Sequence, residues 1–486
     1  TGVHRSSTGD DAYEIEKCDK SDRWTTITLH LTDENKEFLE SYRLRSLIRT
    51  YADYIPVPIM MLKEVKDADK KEESESSNER EQVNTMTALW QKNKKDVTPE
   101  EYKKHYQSLA MAMDEPLDVI HLNVEWNINY KAILYIPKTA NPFQDINDPS
   151  KEYGPALYVQ NVMIMKNAKE LLPPRLRHIV GVVQTPDLPL NVSREILQQS
   201  AIMAKIQSSL IKEVIKSLAY SKKENNADYR EHYKHFARLL KEWVYYDHER
   251  REELAWLLYF SHSDGKATEA MITLDDYIET NTDALKGLKH LYYLHTPSAK
   301  EWMTNPHIHK CQIRGLDVLL MTDPIDEYML SMLRTYKEHE FANIASSDIK
   351  LPEHKEEWEQ KKKVEKAEKK HKDFLGFVTT TIGEDIIDKV SFGHDLGDSL
   401  AVLQAGEWQP SAQMIKMYKA MGQDTPTIKK SLLINPSHPL VEQYMNSYET
   451  DKNNEKVPTF IAYLYDQALL AEWSDIESMS VFIQRV

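Results

Sequence analysis

The stretch DLPLNVSREILQQSAIM, residues 187–203, puts an arginine where helix physics disfavours one. Pro189 holds the lead-in extended, and Ser193 is a good N-cap. Ile196, Met203, Ile206, Leu210 and Val214 follow at helical spacing, so Arg194 falls at the first helical position. A cation beside the positive end of the macrodipole costs roughly 0.3–1 kcal/mol, part of which Glu195 offsets. Arg194 is therefore either a surface arginine paired with a carboxylate such as Glu195, or a guanidinium waiting for an anion from outside. Its planar, permanent charge suits phosphate oxygens, and Gln198, one turn on, is placed to touch the same ligand.

Upstream of that helix, VIHLNVEW, KAILYIP, ALYVQNVMIM and HIVGVVQ read as strands. A helix precedes them, with Thr98 as N-cap, Pro99 at the first position and Glu101 completing a capping box. Residues from about 28 to 195 thus form a mixed sheet with flanking helices. The chain opens with an expected hairpin: Tyr13 and Ile15 on one strand, Trp24–Leu31 on the next, joined across CDKSDR. VPIMML reads as a further strand, and the polar run Lys66–Glu81 as a flexible loop.

Downstream, helical pattern continues through residues 229–260. KHLYYLHTP and LDVLLMTDP are short apolar strands bounded by Pro297 and Pro324, so residues 289–334 read as a βαβ unit followed by a helix. Residues 354–372 are rich in lysine and glutamate and read as a solvated helix or connector. The last block carries strands near 386–392 and 399–404 and helices near 411–421, 438–447, 458–472 and 475–485. TFIAYLYDQALLAEW is apolar on most faces, through Phe460, Ile461, Leu464, Leu469, Leu470 and Trp473, so it needs a partner from its own domain or a second subunit.

Bulk properties narrow the function. A chain of 486 residues implies several domains, and a net charge of −15 argues against nucleic acid or an anionic membrane as partner. Cys18 and Cys311 are too few for a disulfide framework, which fits a reducing, cytoplasmic setting. No apolar run is long enough to span a membrane, and the opening residues lack a signal-peptide core. Glycines number 13, and neither GxGxxG nor GxxxxGK[ST] occurs, so a self-contained nucleotide site is not expected. His307, His309 and Cys311 form an HxHxC string without a fourth ligand at useful spacing, and no metal site is expected. Ser193 lacks a nucleophile elbow. Met414, Met417, Tyr418 and Met421 line one helix face, either packed in a core or open to apolar partners.

TTITLHL, ALWQKNKKDVTPEEY, ILYIP, LYVQNVMIM, DLPLNVSREILQQ, IDEYM, INPSHPL and DQALLAE occur in this order across nearly the whole chain. On them the sequence resembles the ninety-kilodalton heat-shock chaperone family, most closely its bacterial branch. The resemblance implies an α+β and α/β multidomain chain, with residues 1–28 a remnant of an N-terminal ATPase domain and 29–200 a large αβα middle domain. Residues 201–285 would be a helical connector, 286–350 a smaller βαβ subdomain, and 351–486 an α+β C-terminal dimerisation domain. It also implies that Arg194 meets the ATP γ-phosphate when domains close, with Gln198 beside it. Glu327, Tyr328, Met414, Met417 and Tyr418 would contact unfolded or partly folded client proteins, and Phe460, Leu464, Leu469 and Leu470 would lie in the helices that pair two copies. ATP and Mg would act only in an intact protein, so this chain alone is expected to carry no cofactor and to be inactive as an ATPase. Trp126 stands where the family has glycine, and Tyr328 where bacterial members have tryptophan. TANPFQD carries one extra residue, and no acidic co-chaperone-docking tail ends the chain. Two rival readings remain: a nucleotide-dependent phosphotransferase or hydrolase built on residues 289–322, and a purely structural dimer scaffold.

Overall fold

A computed structural model describes residues 2–9, 12–20, 23–63, 79–125, 128–142, 148, 150–188, 201–263, 271–298, 301–354, 357–406, 409–410, 412–420, 422, 428–476 and 478–485. The chain divides into two compact units, Thr1–Gln91 with Tyr158–Ile164, and Lys92–Leu157 with Met165–Val486.

The first unit opens with antiparallel β1 (Gly2–Ser6) and β2 (Glu14–Cys18), in register from Gly2–Cys18 to Ser6–Glu14. This corrects the expected hairpin, because Ile15 pairs backward to Arg5 and Trp24–Leu31 forms no strand. Alternating residues define two faces but supply no partner backbone. Trp24, Ile27 and Leu29 accordingly remain 61%, 79% and 76% exposed. After α1 (Ser41–Tyr51), β3 (Met60–Leu62) pairs with β4 (Arg80–Gln82), so the end of the expected loop is strand. Arg45 of α1 holds this pair, donating to the Leu62 carbonyl at 2.6 Å and meeting the Glu81 carboxylate. Trp90 is a core residue, with Tyr54 and Tyr158 packed on it at 4.6 and 5.0 Å.

In the second unit, α2 (Pro99–Ala110) starts as the sequence requires. Thr98 Oγ1 accepts from the Glu101 N–H at 3.3 Å while the Glu101 carboxylate accepts from the Thr98 N–H at 2.9 Å. It is followed by β5 (Pro116–Val124) and β6 (Tyr130–Pro137), which run antiparallel. ALYVQNVMIM, expected as one strand, is two: Gln160 and Asn161, which belong to the first unit and stand at φ 48° and 70°, turn the chain between β7 (Ala156–Val159) and β8 (Val162–Met165). Two successive positive φ values give the primed turn that matches hairpin twist. β9 (Val180–Gln184) pairs antiparallel with β6, so closely that a Cβ on Gly181 would lie 2.2 Å from the Ile133 carbonyl oxygen. Gly181→Ala is expected to destabilise this unit by roughly 1–3 kcal/mol, which a denaturant titration followed by circular dichroism would measure.

α3 (Ala201–Glu224), α4 (Asn226–Tyr246) and α5 (Arg251–Trp256) follow, with Met203, Ile206, Leu210 and Val214 buried as their spacing demands. Next come β10 (Phe260–His262), β11 (Met271–Ile272), α6 (Leu274–Leu285), β12 (His290–His295), α7 (Pro306–Gln312), β13 (Leu319–Met321), α8 (Pro324–Leu333), β14 (Thr335–Tyr336) and β15 (His339–Asn343). Their sheet runs β11-β10-β13-β12-β15-β14. β12 and β13 are parallel, as a βαβ unit requires. The sheet also takes β10 and β11 from residues that read as helical connector, and β15 from beyond the recognised unit. These strands are two to five residues long, too short for a period of two to declare itself.

The remaining elements are α9 (Glu357–Lys370), α10 (Lys372–Ile382), β16 (Ile387–Phe392), β17 (Ala401–Gln404), α11 (Ala412–Ala420), β18 (Lys430–Ile434), α12 (Pro439–Thr450), α13 (Lys456–Ala471) and α14 (Met479–Arg485). β18, missed in the sequence, is the central strand, parallel to β16 and antiparallel to β17. Its Leu432 and Ile434 anchor a core with Phe374, Val441, Met445, Phe460 and Leu464. The chain is thus mixed α+β, with several separate sheets among its helices.

Candidate functional site

α8 has a strong local start. The Asp323 carboxylate accepts from the Ile325 N–H at 3.1 Å, Asp326 accepts from the Asp323 N–H at 3.0 Å, and Pro324 takes the first position. The Asp326 side chain, 1% exposed, also lies 2.6 Å from Lys241 Nζ on α4, itself 9% exposed. Burial alone would drive the Lys241 ammonium down, but the Asp326 carboxylate outweighs it and holds the pKa above the ordinary lysine value. This buried pair pins the first turn of α8 onto α4 and so fixes where the next two residues, Glu327 and Tyr328, emerge half-buried.

Around Tyr328 the surface is aromatic. Its ring meets Tyr245 edge-on at 6.1 Å, and Tyr245 meets Tyr246 at 4.8 Å, with Tyr246 62% exposed. α11 packs against α8 and brings Tyr418 beside Tyr328. Partial burial raises the Tyr328 phenol above its ordinary value, and Tyr418, Glu327 and Tyr245 add to the rise. Met414 and Tyr418 lie one turn apart on α11, both half-buried. Tyr328 and Tyr418, ninety positions apart in sequence, are therefore neighbours. Met417 belongs to α11, but its side chain lies outside the described residues, as do Met421, Arg194 and Gln198 altogether. Tyr245 and Tyr246 were missed: nothing in their local spacing at the end of α4 marks them until Tyr328 of α8 is placed beside Tyr245.

Residues 63–486 match the family described as Hsp90 protein. The chain belongs to the Hsp90 family. Among its Hsp90 relatives, the "Chaperone protein HtpG" of Geobacter sulfurreducens is 36% identical over 485 residues, 98% of this chain and 73% of that protein. The protein of the same name from Alkalilimnicola ehrlichii is 35% identical over 100% of this chain and 73% of its own length. That of Serratia proteamaculans is 34% identical, over 100% and 75%.

In this Hsp90 chain the residues expected to pair two copies are placed unevenly. Phe460 and Leu464 face the chain's own core, Phe460 stacking on Tyr444 at 4.0 Å and 5°. Leu469 and Leu470 are half-buried, whereas Val481 and Ile483 of α14 are 41% and 67% exposed. His307 and Cys311 are buried on α7, a helix, with His309 off their face. Among the described residues no group of three or more His, Cys, Asp or Glu side chains is placed to hold a metal, and no helix is long and apolar enough to cross a membrane.

Proposed function

We propose that this chain is a molecular chaperone segment that holds unfolded or partly folded proteins on the face formed by α8 and α11. The observation that carries this is the packing of α8 on α11 with Tyr328 beside Tyr418, and with Tyr245 and Tyr246 extending the aromatic patch. Aromatic rings give large, adaptable contact area, methionine conforms to irregular partners, and the acidic Glu327 favours basic clients. The relatives' name, chaperone protein, supports the same reading.

The test is suppression of aggregation of a chemically unfolded substrate followed by light scattering. Tyr418→Glu is expected to weaken suppression several-fold while leaving the circular-dichroism melt in place. Unchanged suppression would remove this face from client binding.

The finer architecture belongs to the same proposal: a large middle domain, a helical segment, a small βαβ subdomain and a C-terminal domain that pairs two copies in the cytoplasm. The exposed apolar side of α14, with Leu469 and Leu470, would form the contact between copies rather than Phe460 and Leu464. Ile483→Asp is then expected to shift the chain toward monomer in analytical ultracentrifugation. Arg194 and Gln198 would serve a nucleotide held by another domain, with ATP and Mg as cofactors of that larger assembly. This chain alone is expected to bind ATP negligibly in calorimetry, since its few glycines form no phosphate loop. After β12 the sequence runs Thr296, Pro297, Ser298, Ala299 and Lys300, with no glycine to cradle phosphate for an enzyme on the βαβ unit.

A further inference from the structure

A cavity of about 300 Å³ lies at the C-terminal end of α2. Tyr106, Pro137, Val180 and Phe236 line it, as do Met111 and Met113, which are 79% and 97% exposed. His178 also lines it, only 4% exposed, and neither of its ring nitrogens has a hydrogen-bond partner among the described residues. The ring stacks on Phe236 at 4.7 Å and 26° and lies 5.5 Å from His232. His232 is satisfied on one side, its Nδ1 2.7 Å from the Pro137 carbonyl oxygen, while its Nε2 has no partner among the described residues. Buried polar atoms without partners are rare in native proteins because each carries a desolvation penalty.

The chemistry of the lining selects the ligand. Burial, with His232 and Arg177 nearby, holds His178 well below the ordinary histidine range, so its ring is neutral, with one nitrogen donating and the other accepting. Asp114, which accepts from Thr139 Oγ1 at 2.8 Å, also lines the cavity and would repel an anion. A mostly apolar lining disfavours any charged group. An apolar cavity of about 150 Å³ already admits benzene, so this one has room for a ring with substituents. Exposed methionines give an adaptable rim.

We propose that this cavity binds a neutral phenolic ring whose hydroxyl hydrogen-bonds to His178. A hydroxyl is both donor and acceptor, so it complements either nitrogen of the neutral imidazole. Free small phenols and the tyrosine side chain of a bound polypeptide share this chemistry.

The probe is p-cresol, added to the full chain carrying isotope-labelled histidine. Saturable movement of the His178 ring resonance at millimolar or lower p-cresol is the expected result. His178→Phe keeps the ring and its stacking, and is expected to weaken p-cresol about tenfold in calorimetry while leaving toluene binding unchanged. Ala140→Phe, at a half-buried lining position, is expected to block both probes. Competition by the peptide Gly-Gly-Tyr-Gly-Gly assigns a tyrosine side chain as occupant, and its absence assigns free phenols. A still His178 resonance, or p-cresol binding unaffected by both variants, overturns the proposal and leaves a cavity that holds water only.

Discussion

Arg314→Met is expected to destabilise the region around α7 by about 3 kcal/mol, because it takes a buried guanidinium from the buried Asp395 carboxylate and the half-buried Glu357. The Arg314 side chain is 4% exposed and lies 3.0 Å from Glu357 and 3.1 Å from Asp395. It also donates to the Pro352 carbonyl at 2.9 Å and the Lys310 carbonyl at 2.8 Å. One guanidinium thus ties the end of α7 to the segment before α9, to α9 itself, and to the loop between β16 and β17. Methionine keeps much of the volume, so the loss reads the charge and not a void.

The same clamp sets an acid limit. Burial alone would raise Glu357, but hydrogen bonds from Lys361, the His354 N–H and Arg314 bring it down to about 2. Burial likewise opposes the shift at Asp395, where His394 and Arg314 prevail and give about 2. Folded values below the ordinary carboxylate range mean that this stabilisation is complete above about pH 4.5 and fades as pH falls toward 2. Hydrogen exchange at α7 and α9 between pH 7 and 3 should show protection declining with acid in the native chain, and low throughout in Arg314→Met. Equal protection in the two proteins at pH 7 would refute the clamp.

Lys241→Met is the second large effect, expected at about 3–5 kcal/mol, since Asp326 is left as an uncompensated buried charge. Asp326→Asn added to it should recover most of that loss. Asparagine keeps the side-chain oxygen that caps α8 while removing the charge. The double-mutant cycle in urea therefore reads the pair itself. Losses that simply add would show that Lys241 and Asp326 do not interact. Because the pair seats α8, the client capture proposed for that face is expected to fall in Lys241→Met and to return in the double variant.

Legibility followed length and locality. The α2 capping box was readable because Thr98, Pro99 and Glu101 act within one turn. The long β5 and β6 runs and the period of α3 were equally plain. β10, β11 and β18 were not, because strands of two to five residues carry little pattern and exist only through neighbours distant in sequence. Trp24–Leu31 failed the other way: it has strand alternation but pairs with no strand among the described residues. At the candidate site, Glu327 and Tyr328 were named from resemblance and Met414 and Tyr418 from helical spacing as well, while Tyr245 and Tyr246 emerged only with the packing.

The sequence by itself determined the α2 start, the β5 and β6 strands, the parallel βαβ unit and the family, since each rests on residues close together or on ordered motifs. Tertiary structure alone decided which charges are buried, that α8 and α11 share a face, that Phe460 and Leu464 turn inward, and that His178 lines a cavity. Those outcomes depend on desolvation and on contacts between residues far apart in the chain, and no local spacing encodes either.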